Sequence, residues 1–170
     1  MPITSNNQLK VQRFGDIVIR KATNEDKERV VALVFAVLSE FGLQGDLEST
    51  DSDLNNIERN YLEAGGLFEL LEDVNGNLQG TYGLFPLDEE TLELRKMYLV
   101  PQLRGLGLGL QILERCRRYA RAQGFKAIRL ETISVLKRAI RLYIQFGFVP
   151  TETTHRSSRV DQTYILKLEG

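Results

Sequence analysis

Cysteine and histidine are almost absent from this chain of 170 residues, and their scarcity excludes several kinds of chemistry. The single cysteine, Cys116, cannot form an internal disulfide, which suits a reducing compartment. The single histidine, His155, leaves too few ligands for a Cys/His zinc cluster. A serine or cysteine nucleophile would also depend on His155, which lies in a polar segment near the C-terminus.

An excess of charge of one sign and long apolar runs are also lacking. The 22 Lys and Arg against 23 Asp and Glu give a net charge of −1, so we expect no nucleic-acid partner. No run reaches the roughly 18 apolar residues of a membrane span, and the N-terminus MPITSNNQLK has no apolar signal-peptide core. We therefore expect a cytoplasmic protein without a membrane partner. A loose N-terminal segment, residues 1–16, should precede a single domain, residues 17–170.

The most informative stretch is residues 92–113, LELRKMYLVPQLRGLGLGLQIL. Its pattern predicts a strand, a turn, a glycine loop and the start of a long amphipathic helix. Glycines at alternate positions allow the backbone to approach a ligand closely, because no Cβ stands in the way. A helix that starts there adds unpaired N–H groups and the positive end of its dipole. This arrangement is typical of phosphate or pyrophosphate binding, although a plain glycine turn is the simpler alternative.

The spacing of the glycines excludes two familiar phosphate-binding motifs. A P-loop needs Lys and then Ser or Thr after its last glycine, and the dinucleotide motif needs glycine where this chain has Leu110. What remains is Arg/Gln-x-x-Gly-x-Gly/Ala, formed by Arg104, Gly107 and Gly109. This stretch resembles the acetyl-CoA-binding motif of the GNAT (GCN5-related N-acetyltransferase) superfamily. Residues 139–148, AIRLYIQFGF, resemble the family's second signature, A..LY...GF.

The resemblance covers about residues 17–168 and implies both a fold and an activity. The implied fold is α/β (α+β): a mixed central sheet of about six to seven strands, with a bulged, splayed central strand and flanking helices. The implied enzyme is an acetyl-CoA-dependent N-acetyltransferase of the EC 2.3.1 type, with acetyl-CoA as co-substrate and no metal. Its acceptor would be a small amine, an amino acid, or a peptide or protein amine, and it would act as a monomer or homodimer. The alternative is an acyl-CoA-binding or regulatory module of the same fold without catalysis.

The parity of the central strand predicts the bulge independently of the family. Leu92 and Leu94 share one face, whereas Met97 and Leu99 have the opposite parity. One extra residue at Arg95-Lys96 would bring all four leucine and methionine side chains to the same face. A strand buried on both faces is the alternative. In the family, the corresponding bulge separates the strand from its neighbour and admits the pantetheine arm, so we predict a bulge.

Around this strand we expect strands and helices in alternation. The helix after the glycines should bury Cys116, within an apolar stripe of Ile112, Leu113, Tyr119 and Ala120. Arg115, Arg117, Arg118 and Arg121 should lie on or near its exposed side, where an arginine could also meet the 3′-phosphate of CoA. The acidic loop of residues 46–53 would suit a cationic acceptor, or it is simply solvated. The predicted strands are residues 17–22, 67–73, 78–84, 92–100, 125–132, 148–150 and 162–168.

Acetyl transfer needs an acid for the departing thiolate and a base for the amine. The resemblance gives the acid role to Tyr143, which could instead be a core residue; Glu93 is the candidate base and Glu131 the second choice. At the family's common Asn position the chain has Leu136, so one polar contact to CoA is missing. The implied acetyl-CoA-binding residues are Met97, Tyr98 and Leu99 in the strand, and Arg104, Gly105, Leu106, Gly107, Leu108, Gly109 and Leu110 in the loop.

Overall fold

The computed structural model describes residues 12–169, and its centre is an eight-stranded sheet. The strands are β1 (Gln12–Phe14), β2 (Ile17–Lys21), β3 (Leu67–Glu72), β4 (Leu78–Pro86), β5 (Thr91–Leu99), β6 (Ala127–Thr132), β7 (Val149–Thr151) and β8 (Gln162–Lys167). They lie in the order β1-β2-β3-β4-β5-β6-β8-β7. Only β5 and β6 are parallel neighbours in this described sheet, so the predicted mixed sheet is confirmed.

Three α-helices flank the sheet: α1 (Lys27–Glu40), α2 (Leu108–Ala122) and α3 (Lys137–Phe146). Short 3₁₀ turns cover Asn24–Asp26, Ser52–Asn56 and Pro101–Leu103, and a π-helical turn covers Glu58–Leu62. Of the helices in residues 12–169, none has both the length and the apolar character needed to cross a membrane.

The segment expected to be loose contains an edge strand. Residues 1–11 lie outside the described part of the chain, but β1 pairs antiparallel with β2 through a connection at Gly15 and Asp16. Phe14 packs against the main apolar cluster, which ties this strand to the domain. The polar composition of residues 1–16 did not predict this strand, which is held by its pairing with β2 and by the contact of Phe14.

Two apolar clusters lie on opposite faces of the sheet. The first joins the sheet to α2 and α3 and includes Ile112, Leu113, Cys116 and Ala120, as the α2 stripe predicted. The second joins it to α1 and to the turns of residues 52–62.

One arginine of α2 does not lie where the sequence placed it. Arg115 is 4% exposed, so its predicted place near the exposed side was wrong. Its Nε and Nη2 each lie 2.9 Å from the carboxylate of Glu69 on β3. Tyr82 of β4 donates to the same carboxylate at 2.7 Å, so the buried charge is paired and hydrogen-bonded.

The predicted bulge in β5 is confirmed by its pairing with β4. Thr81 pairs with Tyr98 and Gly83 with Arg95, so three steps along β5 oppose two along β4. Lys96 occupies the bulge with a φ of +54°, and no other described non-glycine residue has a positive φ. As the parity argument required, Leu92, Leu94, Met97 and Leu99 all contact the first apolar cluster.

Beyond the first three pairs, β5 and β6 separate. Their parallel pairing joins Thr91 to Ala127, Leu92 to Ile128 and Glu93 to Arg129, and then stops. From there β6 continues against β8 as far as Thr132. The edge of β5 that faced β6 therefore has no strand partner past Glu93, and a cleft opens in the sheet.

Candidate active site

A cavity of about 1000 Å³ occupies this cleft. One part, the loop side, is lined by the end of β5, the glycine loop and α3; its residues are Met97, Leu99, Leu103, Arg104, Gly105, Gly107, Gly109, Leu110, Leu136, Arg138, Ala139, Arg141, Leu142 and Tyr143. The other part, the charged side, is lined by Ser49, Thr50, Ser52, Asp53, Glu93, Arg95, Lys96, Glu131, Thr132 and Arg159. Most of the residues predicted for the site are thus brought together around one opening.

The glycine loop presents a run of free backbone donors beside the cavity. Within the described chain, the N–H groups of residues 105–110 have no hydrogen-bond acceptor, and the first paired one is that of Gln111, 3.3 Å from the Gly107 oxygen. Gly105 and Gly107 have φ values of +79° and +83°, which favour glycine. The turns they make bring six successive N–H groups to the start of α2, an arrangement suited to an anion.

The three glycines differ in what they do. A Cβ added at Gly107 would meet nothing within 4 Å, so its backbone conformation is what requires glycine. A Cβ at Gly109 would lie 2.5 Å from Cδ2 of Leu142, so glycine here permits α2 to pack closely on α3. A Cβ at Gly105 would lie 2.6 Å from Nη2 of Arg138, which places that guanidinium directly over the loop.

Of the three arginines on the loop side, Arg104 is engaged by internal partners, whereas Arg138 is available to a ligand. The Arg104 side chain donates to the Leu99 oxygen at 2.8 and 3.0 Å and to Glu40 of α1 at 2.8 Å. Its N–H pairs with the Pro101 oxygen at 3.2 Å, so Arg104 braces the loop. Arg138, in the first turn of α3, is exposed and has no ion pair with a described residue. Sequence reasoning missed Arg138, although the basic pair that opens α3 was a signal.

Leu136 lies at the N-cap of α3 and lines the cavity with an apolar side chain. The departure from the family's Asn is therefore located at the cavity wall. Nearby apolar lining from Leu103, Ala139 and Leu142 makes this part of the cavity suited to a largely apolar chain.

Tyr143 lies at the cavity wall with 8% of its surface exposed. Its ring packs edge-on against Phe148 at a centroid distance of 5.8 Å. Burial raises the pKa of the phenol well above its usual value, so the hydroxyl stays protonated through the neutral range. No hydrogen bond joins this hydroxyl to any residue that the structure describes. A proton donor without an internal partner therefore stands beside the cavity.

The two carboxylates predicted as bases differ in how they are held. Both oxygens of Glu93 accept from guanidinium groups, at 2.5 Å from Nε of Arg95 and 3.0 Å from Nη1 of Arg129. Glu131 pairs through Oε1 with the same Arg129 nitrogen at 3.0 Å. Its Oε2 has no partner among the described residues, and its side chain is 23% exposed against 8% for Glu93.

The acidic loop is not wholly solvated, because cations hold two of its carboxylates in buried positions. Asp51 is fully buried, and its carboxylate contacts Lys96 at 2.9 Å and Arg159 at 2.6 and 3.1 Å. Burial raises the pKa of Asp51, but the ion pairs with Arg159 and Lys96 outweigh it and lower the pKa to about 2. Asp53, also buried, contacts Lys96 at 3.3 Å. For these two residues the expectation of a solvated loop was wrong, because cations from distant parts of the chain hold them; the expectation of a cationic acceptor stays a prediction.

Comparison with known proteins agrees with this geometry. Residues 31–148 match the acetyltransferase (GNAT) family. The chain is 34% identical over 136 residues to the uncharacterized N-acetyltransferase YjgM of Escherichia coli, covering 77% of this chain and 81% of that protein. It is 28% identical over 142 residues to the uncharacterized N-acetyltransferase C1271.07c of Schizosaccharomyces pombe, covering 83% and 87%.

Solved structures share the fold over most of both chains. An acetyltransferase of the GNAT family from Staphylococcus aureus has a TM-score of 0.83 at 28% identity, covering 90% of this chain and 99% of that one. The putative acetyltransferase yncA from Salmonella typhimurium, solved with its cofactor acetyl-CoA, has a TM-score of 0.70 at 20% identity, covering 91% and 95%. The chain belongs to the GNAT family of N-acetyltransferases.

Proposed function

We propose that the protein transfers the acetyl group of acetyl-CoA directly to a primary amine. The observation that carries this proposal is one cavity lined both by loop residues with unpaired N–H groups, namely Gly105, Gly107, Gly109 and Leu110, and by Tyr143 with its unpaired hydroxyl. The first is suited to a pyrophosphate and the second to a departing thiolate. A module that only bound acyl-CoA would need the N–H groups but not the hydroxyl.

The loop side has the donors and the apolar lining that acetyl-CoA requires. Residues 105–110 would bind the pyrophosphate through their N–H groups, and Arg138 would add a charge-assisted contact to a phosphate. The edge of β5 at Met97, Tyr98 and Leu99 has no strand partner on the β6 side and would offer backbone groups to the amides of the pantetheine arm, except for the Leu99 oxygen, which Arg104 engages. Arg104 would contribute by bracing the loop, since its guanidinium and its N–H are already bound.

The transfer needs no covalent enzyme intermediate. The amine nitrogen attacks the thioester carbon; the C–N bond forms and the C–S bond breaks, so that an amide and a thiolate result. Tyr143 donates its proton to that thiolate. The proton that the nitrogen loses passes to a carboxylate, Glu131 or Glu93, and a proton from solvent restores the phenol. The raised pKa of Tyr143 keeps the donor loaded at neutral pH.

For the proton of the amine, Glu131 is now the better candidate and Glu93 the second. Both oxygens of Glu93 are occupied by guanidinium groups, whereas Glu131 keeps one oxygen free at the cavity. A general base needs a lone pair within reach of the proton or of one bridging water. The preference between these two residues thus rests on the availability of a carboxylate oxygen.

Tyr143→Phe tests the proposal, because it keeps the ring that packs on Phe148 and removes only the donor. Wild type should release free thiol from acetyl-CoA in the presence of amines, with the acetylated amine detected by mass spectrometry. The variant should bind acetyl-CoA equally well in calorimetry and lose on the order of 10²–10⁴ in kcat.

The matched control is Tyr119→Phe, which removes a hydroxyl bonded at 3.0 Å to the Gly65 and Gly66 oxygens, away from the cavity. It should leave kcat near wild type. Acetyl-CoA binding without thiol release on any amine would replace the transferase with the binding module. A Tyr143→Phe enzyme within about twofold of wild type would remove the acid role.

A further inference from the structure

We infer that the acceptor carries a carboxylate close to its amino group, as a free amino acid does, and that Arg95 binds this carboxylate. The inference rests on the proposed acetyl transfer and names the class of amine that the charged side selects. Arg95 was not among the site residues predicted from the sequence.

The acidic groups of the charged side are largely committed to internal partners. Asp51 and Asp53 hold Lys96, and Asp51 also holds Arg159. Glu93 holds Arg95 and Arg129. Of the carboxylate oxygens on this side, Oδ2 of Asp53 accepts from the Tyr61 hydroxyl, and Oε2 of Glu131 has no partner among the described residues. A polyamine with several ammonium groups would find one free carboxylate oxygen here, and its remaining charges would be unpaired.

Formal charges on this side already balance without a ligand. Among the residues that line the cavity on this side, three cations, Arg95, Lys96 and Arg159, accompany three anions, Asp53, Glu93 and Glu131; Asp51 and Arg129, which do not line it, add one charge of each sign. A zwitterion adds no net charge to this set, whereas a polyamine adds several positive charges in a partly desolvated cleft. The balance therefore favours an acceptor with one ammonium and one carboxylate.

Arg95 is the cation with donors to spare. A guanidinium has five N–H donors, and Nε of Arg95 donates to Glu93 at 2.5 Å. The Arg95 side chain also interacts with the Tyr61 hydroxyl, so that its remaining terminal donors are the ones left for a ligand. Its Cζ lies 3.8 Å from the centroid of Phe85, so one face is fixed against a ring while the side chain lines the cavity. A guanidinium held in a fixed plane, with terminal N–H donors left over, is suited to charge-assisted binding of a carboxylate.

The bulge places the Arg95 guanidinium beside the point where β5 and β6 separate. Arg95 precedes Lys96, the residue in the bulge, and it follows Glu93, where the pairing of β5 with β6 ends. A carboxylate on Arg95 would hold the adjacent amine over the cleft, toward Glu131 on the separated strand. Amine and carboxylate would thus have separate partners on the two strands.

The experiment compares amines that differ only in the carboxylate. L-Methionine, L-phenylalanine and L-glutamine, each beside its own amide, together with spermidine, are assayed for thiol release with saturating acetyl-CoA. At least one acid should exceed its amide and spermidine by about tenfold or more in kcat/KM, which is the discrimination expected of a charge-assisted pair. Arg95→Gln should reduce the acid-to-amide ratio to near one, and Arg95→Lys should leave an intermediate ratio. Acetyl-CoA affinity in calorimetry should stay at the wild-type value.

Arg129→Gln is the matched control, since it also removes a partner of Glu93 but does not line the cavity. It should keep the acid-to-amide ratio, because any loss of general base strength affects both substrates equally. An amide or spermidine equal to or better than the acids, or a preference that survives Arg95→Gln, would overturn the inference.

Failure of the proposed function gives a different pattern. If no amine is acetylated, acetyl transfer is rejected. The carboxylate site is then tested by the change in Tm of the CoA complex when each acid or its amide is added. A larger shift with an acid, lost in Arg95→Gln, upholds the carboxylate site; equal shifts from acid and amide overturn it.

Discussion

Replacing Asp51 by Asn should destabilise the domain by about 3 kcal/mol at pH 7, because it breaks a buried ion pair but keeps the side-chain shape. Asp51 is fully buried and holds Lys96 and Arg159, whereas an amide carries no charge for either. Lowering the pKa from 3.8 to about 2 corresponds by itself to about 2 kcal/mol. The cation left without a partner at Arg159 adds to this loss, and the contact of Lys96 with Asp53 moderates it.

The sign of the pH dependence follows from the depressed pKa. The carboxylate stabilises the fold above the unfolded pKa of 3.8, and that contribution is lost as the pH falls through 3.8 toward about 2. The difference in free energy of unfolding between wild type and Asp51→Asn should therefore narrow by about 1 kcal/mol between pH 5 and pH 3.

Urea unfolding followed by circular dichroism measures these differences. Glu48→Gln is the control, since it removes a carboxylate from the same loop at an exposed position, and it should match wild type. Arg159→Gln and the double variant Asp51→Asn/Arg159→Gln complete a double-mutant cycle. The coupling free energy between the two side chains should be about 1–3 kcal/mol. A difference below about 1 kcal/mol at pH 7, or one that does not narrow in acid, would refute a buried ion-pair role for Asp51.

Three further predictions concern two loop glycines and the base. Gly107→Val should weaken acetyl-CoA binding in calorimetry by about tenfold or more, because a residue with a Cβ strains the left-handed turn that aligns the N–H groups. The same strain, roughly 1–2 kcal/mol, should lower Tm by only a few degrees, and unchanged affinity would remove the loop from the site. Gly109→Ala should lower Tm through the contact of its Cβ with Leu142, and Leu142→Ala should restore part of that loss. Glu131→Gln should lower kcat/KM most near neutral pH, and kcat/KM should recover partly at high pH, where free amine is abundant. Glu93→Gln should have a smaller effect on kcat/KM. A larger effect from Glu93→Gln would make Glu93 the group that accepts the proton of the amine.

Local patterns predicted the parts of the fold that local forces determine. The parity change after Leu94 located the bulge, because side chains alternate strictly along a strand and an apolar face must stay buried. The spacing of Ile112, Cys116 and Ala120 similarly fixed the buried stripe of α2. In both cases the signal and the structure involve residues only a few positions apart.

Long-range pairing accounts for what sequence reasoning missed. Arg115 is buried because Glu69 and Tyr82, on two other elements, supply its partners. Arg159 and Asp51 are separated by 108 positions, so nothing local could join them. A charged residue is normally exposed unless it is paired, and the pairing is visible only once the strands are assembled.

The loop glycines also show that a sequence pattern does not reveal contacts with distant parts of the chain. The motif indicated glycine at three positions for approach to a ligand, yet Gly109 faces Leu142 of α3, which lies far along the chain. The pattern identified where glycine is required but could not distinguish a backbone conformation at Gly107 from close helix packing at Gly109.

Lysine at the bulge links the opening of the sheet to the charged side of the cavity. A bulge that only separated β5 from β6 would be served better by glycine, because a positive φ is unfavourable for a residue with a Cβ, by roughly 1–2 kcal/mol. At Lys96 that cost is offset by an ammonium group placed between Asp51 and Asp53. With Lys96 held between those carboxylates, the adjacent Arg95 pairs with Glu93 and lines the cavity. The one extra residue in β5 is therefore tied both to the opening of the sheet and to the charge pattern of the cavity wall.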